Sequence, residues 1–130
     1  DIYDSFKQEH MYTIFDDVDP FLTFLQYNKE LNNISQIGLI TNGSERFISD
    51  ILPKLSFNNT FDFIADAIDI KHEKPDPKIY EISSEINGYN MDNTWMHIGD
   101  SMKNDIIPVL NIGGNAILID RFHKEITNDH

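Results

Sequence analysis

The sequence predicts an α/β protein built on a Rossmann-like, doubly wound parallel sheet. Helical and strand patterns of apolar residues alternate along the chain, and the predicted strands are short, nearly unbroken apolar runs. Polar residues close these strands, namely Thr41, Asp66, Asp100 and Asp120. Open sheets of this kind bind ligands at the carboxyl ends of their strands, so we expect the chemistry of the protein there.

Capping residues and prolines mark the predicted helices. Asp19-Pro20 places an N-cap residue before proline at the first helical position, and Asp76-Pro77 repeats this pattern. Ser44 is the expected N-cap of the helix between the first two strands. The last predicted helix, around Ile106, contains Pro108 within its apolar pattern. The strands between these helices are predicted at 37–40, 61–65, 95–98 and 116–119.

The composition disfavours several classes of partner. The chain carries 10 basic and 22 acidic residues, a formal charge of −12, which repels nucleic acid and anionic lipid. No apolar run approaches the roughly 20 residues of a membrane-spanning helix, and no targeting segment is visible. Cysteine is absent, which excludes disulfides and zinc–thiolate sites and fits a cytoplasmic protein.

Two acidic residues follow the third predicted strand at a spacing that suits a metal site. Asp100 lies at the strand end, where its carboxylate could reach a hard cation such as Mg²⁺. Asp105 lies in the first turn of the next helix and could hold a water molecule or a cationic side chain. Taken alone, Asp100 is equally well explained as an acid that the helix dipole favours.

Two further segments could bind phosphate. Lys74 precedes a rigid turn, Pro75-Asp76-Pro77, and could neutralise a phosphoryl oxygen, although a solvated loop lysine explains it as well. Thr41 and the turn residues Asn42 and Gly43 could hold phosphate oxygens, or Thr41 could satisfy only local backbone groups. The five histidines show no metal-ligand spacing, and we interpret His97 as a core or edge residue of its strand.

These segments, in this order, resemble the motifs of the haloacid dehalogenase superfamily, in its phosphatase-type subgroup with a helical cap. Residues 37–43 are similar to the second family motif, 61–64 with 73–80 to the third, and 99–105 to the fourth. The resemblance covers residues 19–120. Within the superfamily, this segment is similar to N-acylneuraminate-9-phosphatase-like and nucleotidase-like members.

The resemblance implies a Mg²⁺-dependent phosphatase that acts on a small phosphorylated metabolite through an aspartyl-phosphate. Asp100 would bind the metal, and Asp105 would support Lys74 or a metal-bound water. The catalytic residues that the resemblance implies are Thr41, Lys74 and Asp105. Its phosphate-binding residues are Thr41, Asn42, Gly43 and Lys74. Dehalogenases of the superfamily lack the Gly-Asp acid pair and need no metal, so Asp100 favours the phosphatase type.

The first family motif, which carries the nucleophilic aspartate, is not found. Asp17 and Asp19 have the right mutual spacing, but Pro20 follows at once and leaves no room for the loop after the nucleophile. We therefore expect the nucleophile strand and the helical cap to be missing, and the chain alone to be inactive. Residues 1–18 would lead from the cap into a core at 19–122, and 123–130 would form a tail. The missing strand and cap of the same protein would be partners of this core.

Two alternatives come from other classes. A receiver-type signalling domain also combines acids, threonine and lysine. In that class the acids come first, followed by threonine and then lysine. Here Thr41 comes first, Lys74 follows, and the strongest acid, Asp100, comes last, so the order does not fit. A non-catalytic relative with a binding or regulatory role would keep the fold without turnover. The set at positions 41, 74, 100 and 105 favours the enzyme. Substrate identity and oligomeric state do not follow from the sequence.

Overall fold

The computed structural model describes residues 15–55 and 58–121, which fall into two compact units. One unit contains residues 15–39 and, apart from 56–57, residues 43–64. The other contains residues 40–42 and 65–121. Most of the predicted lead-in segment and the predicted tail at 123–130 lie outside the described residues, so the domain boundaries stay predictions.

The first unit contains one long helix and a series of short turns. The elements are helix α1 (Val18–Glu30), a π-helical turn (Phe47–Ile51) and two 3₁₀ turns (Leu52–Lys54 and Asn58–Thr60). Helix α1 begins two residues before the predicted start, with Asp17 as its N-cap. Pro20 therefore lies in the first turn, where its missing N–H removes no helical hydrogen bond. The predicted cap at Ser44 is confirmed, since its hydroxyl accepts from the Phe47 N–H at 3.2 Å.

Asp62 connects the segment before the first strand to helix α1 through hydrogen bonds and an ion pair. Its N–H donates to the Ile37 carbonyl at 2.6 Å, its carboxylate accepts from the Ile37 N–H at 2.8 Å, and it pairs with Lys29. Gly38 lies so close to Phe63 that a Cβ there would overlap the ring. Glycine is therefore required at the start of the first strand.

The second unit alternates strands and helices. Its elements are helix α2 (Ala67–Ile70), helix α3 (Pro77–Asn87), strand β3 (Met96–Gly99), a π-helical turn (Met102–Ile106), helix α4 (Ile107–Asn111) and strand β4 (Asn115–Leu118). The predicted start of α3 is confirmed, because the Asp76 carboxylate accepts from the Lys78 N–H at 2.9 Å. Pro108 lies in the first turn of α4, directly after the π-helical turn, which explains how proline fits the apolar pattern.

Strands β1 (Gly38–Thr41) and β2 (Phe63–Asp66) form one two-stranded sheet, and β3 and β4 form another. The β3–β4 pair is parallel, with Met96 opposite Asn115 and Gly99 opposite Leu118. No ladder joins β1 to β3 among residues 15–55 and 58–121, so the described strands lack the full predicted sheet.

The core of the second unit lies between α3, α4 and β3–β4. Ile79, Tyr80 and Val109 are completely buried there. Half-buried apolar residues pack around them, namely Ile40, Ala67, Ile70, Trp95, Ile112 and Ala116. Ile40 brings the end of β1 against this core, so Thr41 and Asn42 belong to the same unit as β3. In the part of the chain that the structure describes, no helix is long and apolar enough to cross a membrane.

Candidate active site

Asn42, the residue after β1, is bound to the backbone of Lys74. Its side-chain oxygen accepts from the Lys74 N–H at 2.8 Å, and its side-chain nitrogen donates to the Lys74 carbonyl at 3.0 Å. Both polar ends of the amide are thus used on one residue that is 32 positions away in the chain. The amide therefore fixes the Lys74 backbone to the end of β1. Thr41 is the last residue of β1 and is half-buried. Gly43 is the first residue of segment 43–64, which belongs to the other unit.

The ammonium group of Lys74 forms an ion pair with Asp105 in the interior. The distance from Nζ to Oδ1 is 2.7 Å, and the side chains of Lys74 and Asp105 are only 14% and 6% exposed. Ion pairs in such surroundings are weakly screened by solvent, and breaking one leaves a buried charge without compensation. Asp105 therefore fixes the position of the Lys74 ammonium.

The chain around Asp105 is built to hold its carboxylate in place. Ser101 caps the π-helical turn by accepting from the Asn104 N–H at 3.1 Å, and its own N–H donates to Asp105 Oδ2 at 3.3 Å. On the opposite side, a Cβ at Gly99 would overlap the carboxyl group of Asp105. Glycine at the end of β3 thus provides the space that the carboxylate occupies.

Asp105 remains ionised in this site. Burial raises the pKa of the Asp105 carboxyl, but hydrogen bonds from His97 and Lys74 and their charges outweigh burial and lower the pKa to about 2. A group with this pKa carries no proton near neutral pH, so Asp105 does not serve as a general acid. Its chemical role is that of a fixed anion beside Lys74.

His97 is a member of this site that the sequence reasoning missed. Its Nε2 lies 3.4 Å from Asp105 Oδ1, the same oxygen that Lys74 binds. The interpretation of His97 as a strand residue is correct, but the residue also contacts the site. Positions 97 and 99 share one face of β3, because strand residues alternate. That periodicity, read together with Gly99, is the signal that could have found His97.

Asp100 lies one residue past the end of β3, and its side chain is exposed to solvent. Mg²⁺ commonly binds one or two carboxylates and keeps several waters, with substrate phosphates as further ligands. An exposed carboxylate at a strand end fits that donor set as a single ligand. The described residues contain no group of three or more His, Asp or Glu side chains that could enclose a metal ion. Asp105 is engaged by Lys74 and the Ser101 N–H, which leaves Asp100 as the metal-binding candidate on this turn.

Asp17, the alternative nucleophile considered above, occupies the N-cap position of α1, and Asp19 lies in the first turn of that helix. The helix therefore begins directly after Asp17, as the interpretation of a helix-start residue requires. The contacts of the second unit join Asn42, Lys74 and Asp105. Thr41 is the last residue of β1, and Asp100 directly follows β3.

A sequence model of haloacid dehalogenase-like hydrolases matches residues 1–119. Among curated proteins, the rhythmically expressed gene 2 protein of Drosophila melanogaster is similar to this chain. The two are 26% identical over 117 residues, which cover 81% of this chain and 45% of that protein.

Two solved structures are also similar. A HAD phosphatase from Thermococcus onnurineus has a TM-score of 0.75 at 22% identity, over 92% of this chain and 54% of its own. A 2-haloacid dehalogenase from Pseudomonas syringae pv. Tomato DC3000 has a TM-score of 0.65 at 25% identity, over 85% of this chain and 46% of its own. These likenesses confirm the predicted α/β class, and the chain spans about half the length of these relatives.

Proposed function

The chain belongs to the haloacid dehalogenase-like hydrolase family, and we propose that the protein is a Mg²⁺-dependent phosphatase of small phosphomonoesters. The observation that carries this proposal is the buried ion pair between Lys74 and Asp105 at 2.7 Å. Asp105 lies five residues after Asp100, the proposed metal ligand. A lysine ammonium has three N–H donors, and the Asp105 bond takes one of them. The other donors are suited to the oxygens of a phosphoryl group.

The charge of the protein makes this local arrangement necessary. A chain with a formal charge of −12 repels a phosphate monoester at long range. Binding therefore needs positive charge at the site itself. The Lys74 ammonium is already paired with the ionised Asp105, so the net positive charge would come from a divalent cation held at Asp100.

In this proposal the residues of the chain position and neutralise the transferring group. Lys74 donates to an equatorial phosphoryl oxygen, and Asp105 keeps the ammonium from moving away. The Thr41 hydroxyl and the Asn42 backbone N–H orient the remaining oxygens. The Asn42 backbone takes this role because both polar ends of the Asn42 side chain bind the Lys74 backbone. Mg²⁺ held at Asp100 would offset negative charge as the phosphoryl group transfers.

We further propose that the attacking carboxylate belongs to a strand outside the described residues. Two observations support this part of the proposal. Strands β1 and β3 carry Thr41 and the approach to Asp100, yet no ladder joins them in residues 15–55 and 58–121. Asp17, the alternative within the chain, occupies the N-cap position directly before α1. The carboxylate would attack phosphorus in line, expel the alcohol and form an aspartyl-phosphate that water then hydrolyses.

The test is phosphate release from a panel of sugar phosphates, nucleotides and p-nitrophenyl phosphate by the native protein. We expect turnover with Mg²⁺, loss of turnover with EDTA, and abolition by Asp100→Asn. Asp50→Asn is the matched control, because Asp50 is an exposed aspartate of the other unit. Phosphate binding without turnover would favour the non-catalytic alternative instead. Turnover that survives both EDTA and Asp100→Asn would refute the role of the metal.

A further inference from the structure

His97 contacts the Lys74–Asp105 pair from the strand side. Its Nε2 lies 3.4 Å from Asp105 Oδ1, and its side chain is only 11% exposed. Because an ionised carboxylate only accepts hydrogen bonds, the proton of this contact must be on Nε2. His97 therefore donates to the same oxygen that accepts from Lys74 Nζ.

Aromatic neighbours fix the orientation of the His97 ring. Tyr80 packs against it edge-on, with ring centroids 5.3 Å apart and planes at 85°. Trp95 packs from another side, with centroids 6.0 Å apart and planes at 73°. The Tyr80 hydroxyl donates to the Asn104 carbonyl at 2.6 Å, next to Asp105 in the chain. The ring is thus held by the same core that holds the π-helical turn.

The position of the Asp105 carboxylate depends on few groups. Oδ1 accepts from Lys74 and His97, and Oδ2 accepts from the Ser101 N–H at 3.3 Å. The Lys74 side chain is a flexible four-carbon stem that does not fix a carboxylate by itself. The His97 ring is therefore the one rigid side chain that donates to Asp105 among the described residues.

We propose that His97 is a positioning residue of the site: its Nε2–H holds the Asp105 carboxylate in the orientation that aims the Lys74 ammonium at the substrate phosphoryl group. This inference rests on the proposed phosphatase function. His97 does not touch the substrate. It acts through Asp105 and Lys74, as groups that orient the ligands of a site commonly do.

The kinetic test uses His97→Phe and His97→Gln in the native protein. Phenylalanine keeps the aromatic packing and removes the donor, so we expect kcat to fall about 10- to 100-fold with the fold retained. Glutamine returns an N–H near the place of Nε2 and should recover most of the loss. His72→Phe, at a partly exposed histidine on the loop before Lys74 that contacts Asp76 rather than Asp105, is the matched control and should leave kcat unchanged.

A double variant shows whether His97 acts through Lys74. In a Lys74→Met background, His97→Phe should cause no further loss, because the group that it positions is already absent. The proposal is overturned if His97→Phe keeps wild-type kcat. It is also overturned if the Phe and Gln variants lose kcat equally and both lower Tm, since that pattern means packing alone.

A second measurement separates this proposal from the phosphatase assignment. Two-bond ¹H–¹⁵N correlation spectra of the histidine-labelled native protein report which ring nitrogen carries a proton, without any turnover. We expect Nε2 of His97 to be protonated, whatever the substrate of the protein is. If no phosphomonoester is hydrolysed but Nε2 is protonated, the function fails and the positioning contact stands. An unprotonated Nε2 overturns the positioning role even in an active phosphatase.

Discussion

Replacing Asp105 by asparagine should destabilise the protein in a pH-dependent way. The pKa of the Asp105 carboxyl falls from an ordinary 3.8 to about 2 in the folded protein. At 1.36 kcal/mol per pH unit, that difference corresponds to about 2 kcal/mol of stability near neutral pH. The variant also leaves the Lys74 ammonium buried without its counter-ion, so the total loss should be about 2–4 kcal/mol.

The sign of the pH effect follows from the lowered pKa. The folded state binds the Asp105 proton more weakly than the unfolded state does, so the stabilisation is complete above pH 3.8. It is lost as the pH falls from 3.8 through about 2. The asparagine side chain of the variant cannot titrate, so the gap between the wild-type and Asp105→Asn stabilities should narrow over that range.

Urea unfolding of the native protein and the variant, followed by far-UV circular dichroism, measures this gap. Glu85→Gln, at an exposed acid of α3, is the control and should show no such gap. The reasoning is refuted if Asp105→Asn costs less than about 0.5 kcal/mol near pH 7, the usual range for a surface substitution. It is equally refuted if a large cost persists unchanged near pH 2.

Three further variants and the isolated chain test other parts of the site. Lys74→Met should lower kcat/KM about 10²- to 10³-fold in steady-state kinetics, since it removes a donor to the developing charge. Asn42→Asp should lower kcat, because a carboxylate oxygen would then face the Lys74 carbonyl in place of the N–H that donates to it at 3.0 Å. Gly99→Ala should lower Tm through a cost of about 1–3 kcal/mol, because its Cβ would overlap Asp105. The isolated 130-residue chain should melt without a cooperative calorimetric transition, because no ladder joins the two strand pairs among residues 15–55 and 58–121.

Local sequence signals predicted the elements that local contacts build. The Asp76-Pro77 start of α3 depends on one cap bond within two residues, and the structure confirms it. The polar closures at Thr41 and Asp66 likewise mark observed strand ends. The π-helical turns at Phe47–Ile51 and Met102–Ile106 were not predicted, because they have the same apolar spacing as an α-helix. Their difference lies in hydrogen bonding, which the residue pattern does not record.

The candidate site was predicted only in part, because its contacts join residues that lie far apart in the sequence. Lys74 and Asp105 came from motif resemblance, and their 2.7 Å contact joins residues 31 positions apart. The use of the Asn42 side chain on Lys74 could not be foreseen, since a turn asparagine has many possible partners. His97 was not predicted as a site residue, because a histidine in a strand is usually a core residue. Only the folded chain places it beside Asp105.

The most direct test of the central claim is to assay phosphate and halide release side by side with the native protein. The substrates are phosphomonoesters and 2-haloacids, each with Mg²⁺ and with EDTA, because the solved relatives include a phosphatase and a dehalogenase. The account predicts phosphate release that requires Mg²⁺, and no halide release under either condition. Halide release without metal, with no phosphate release, would contradict it.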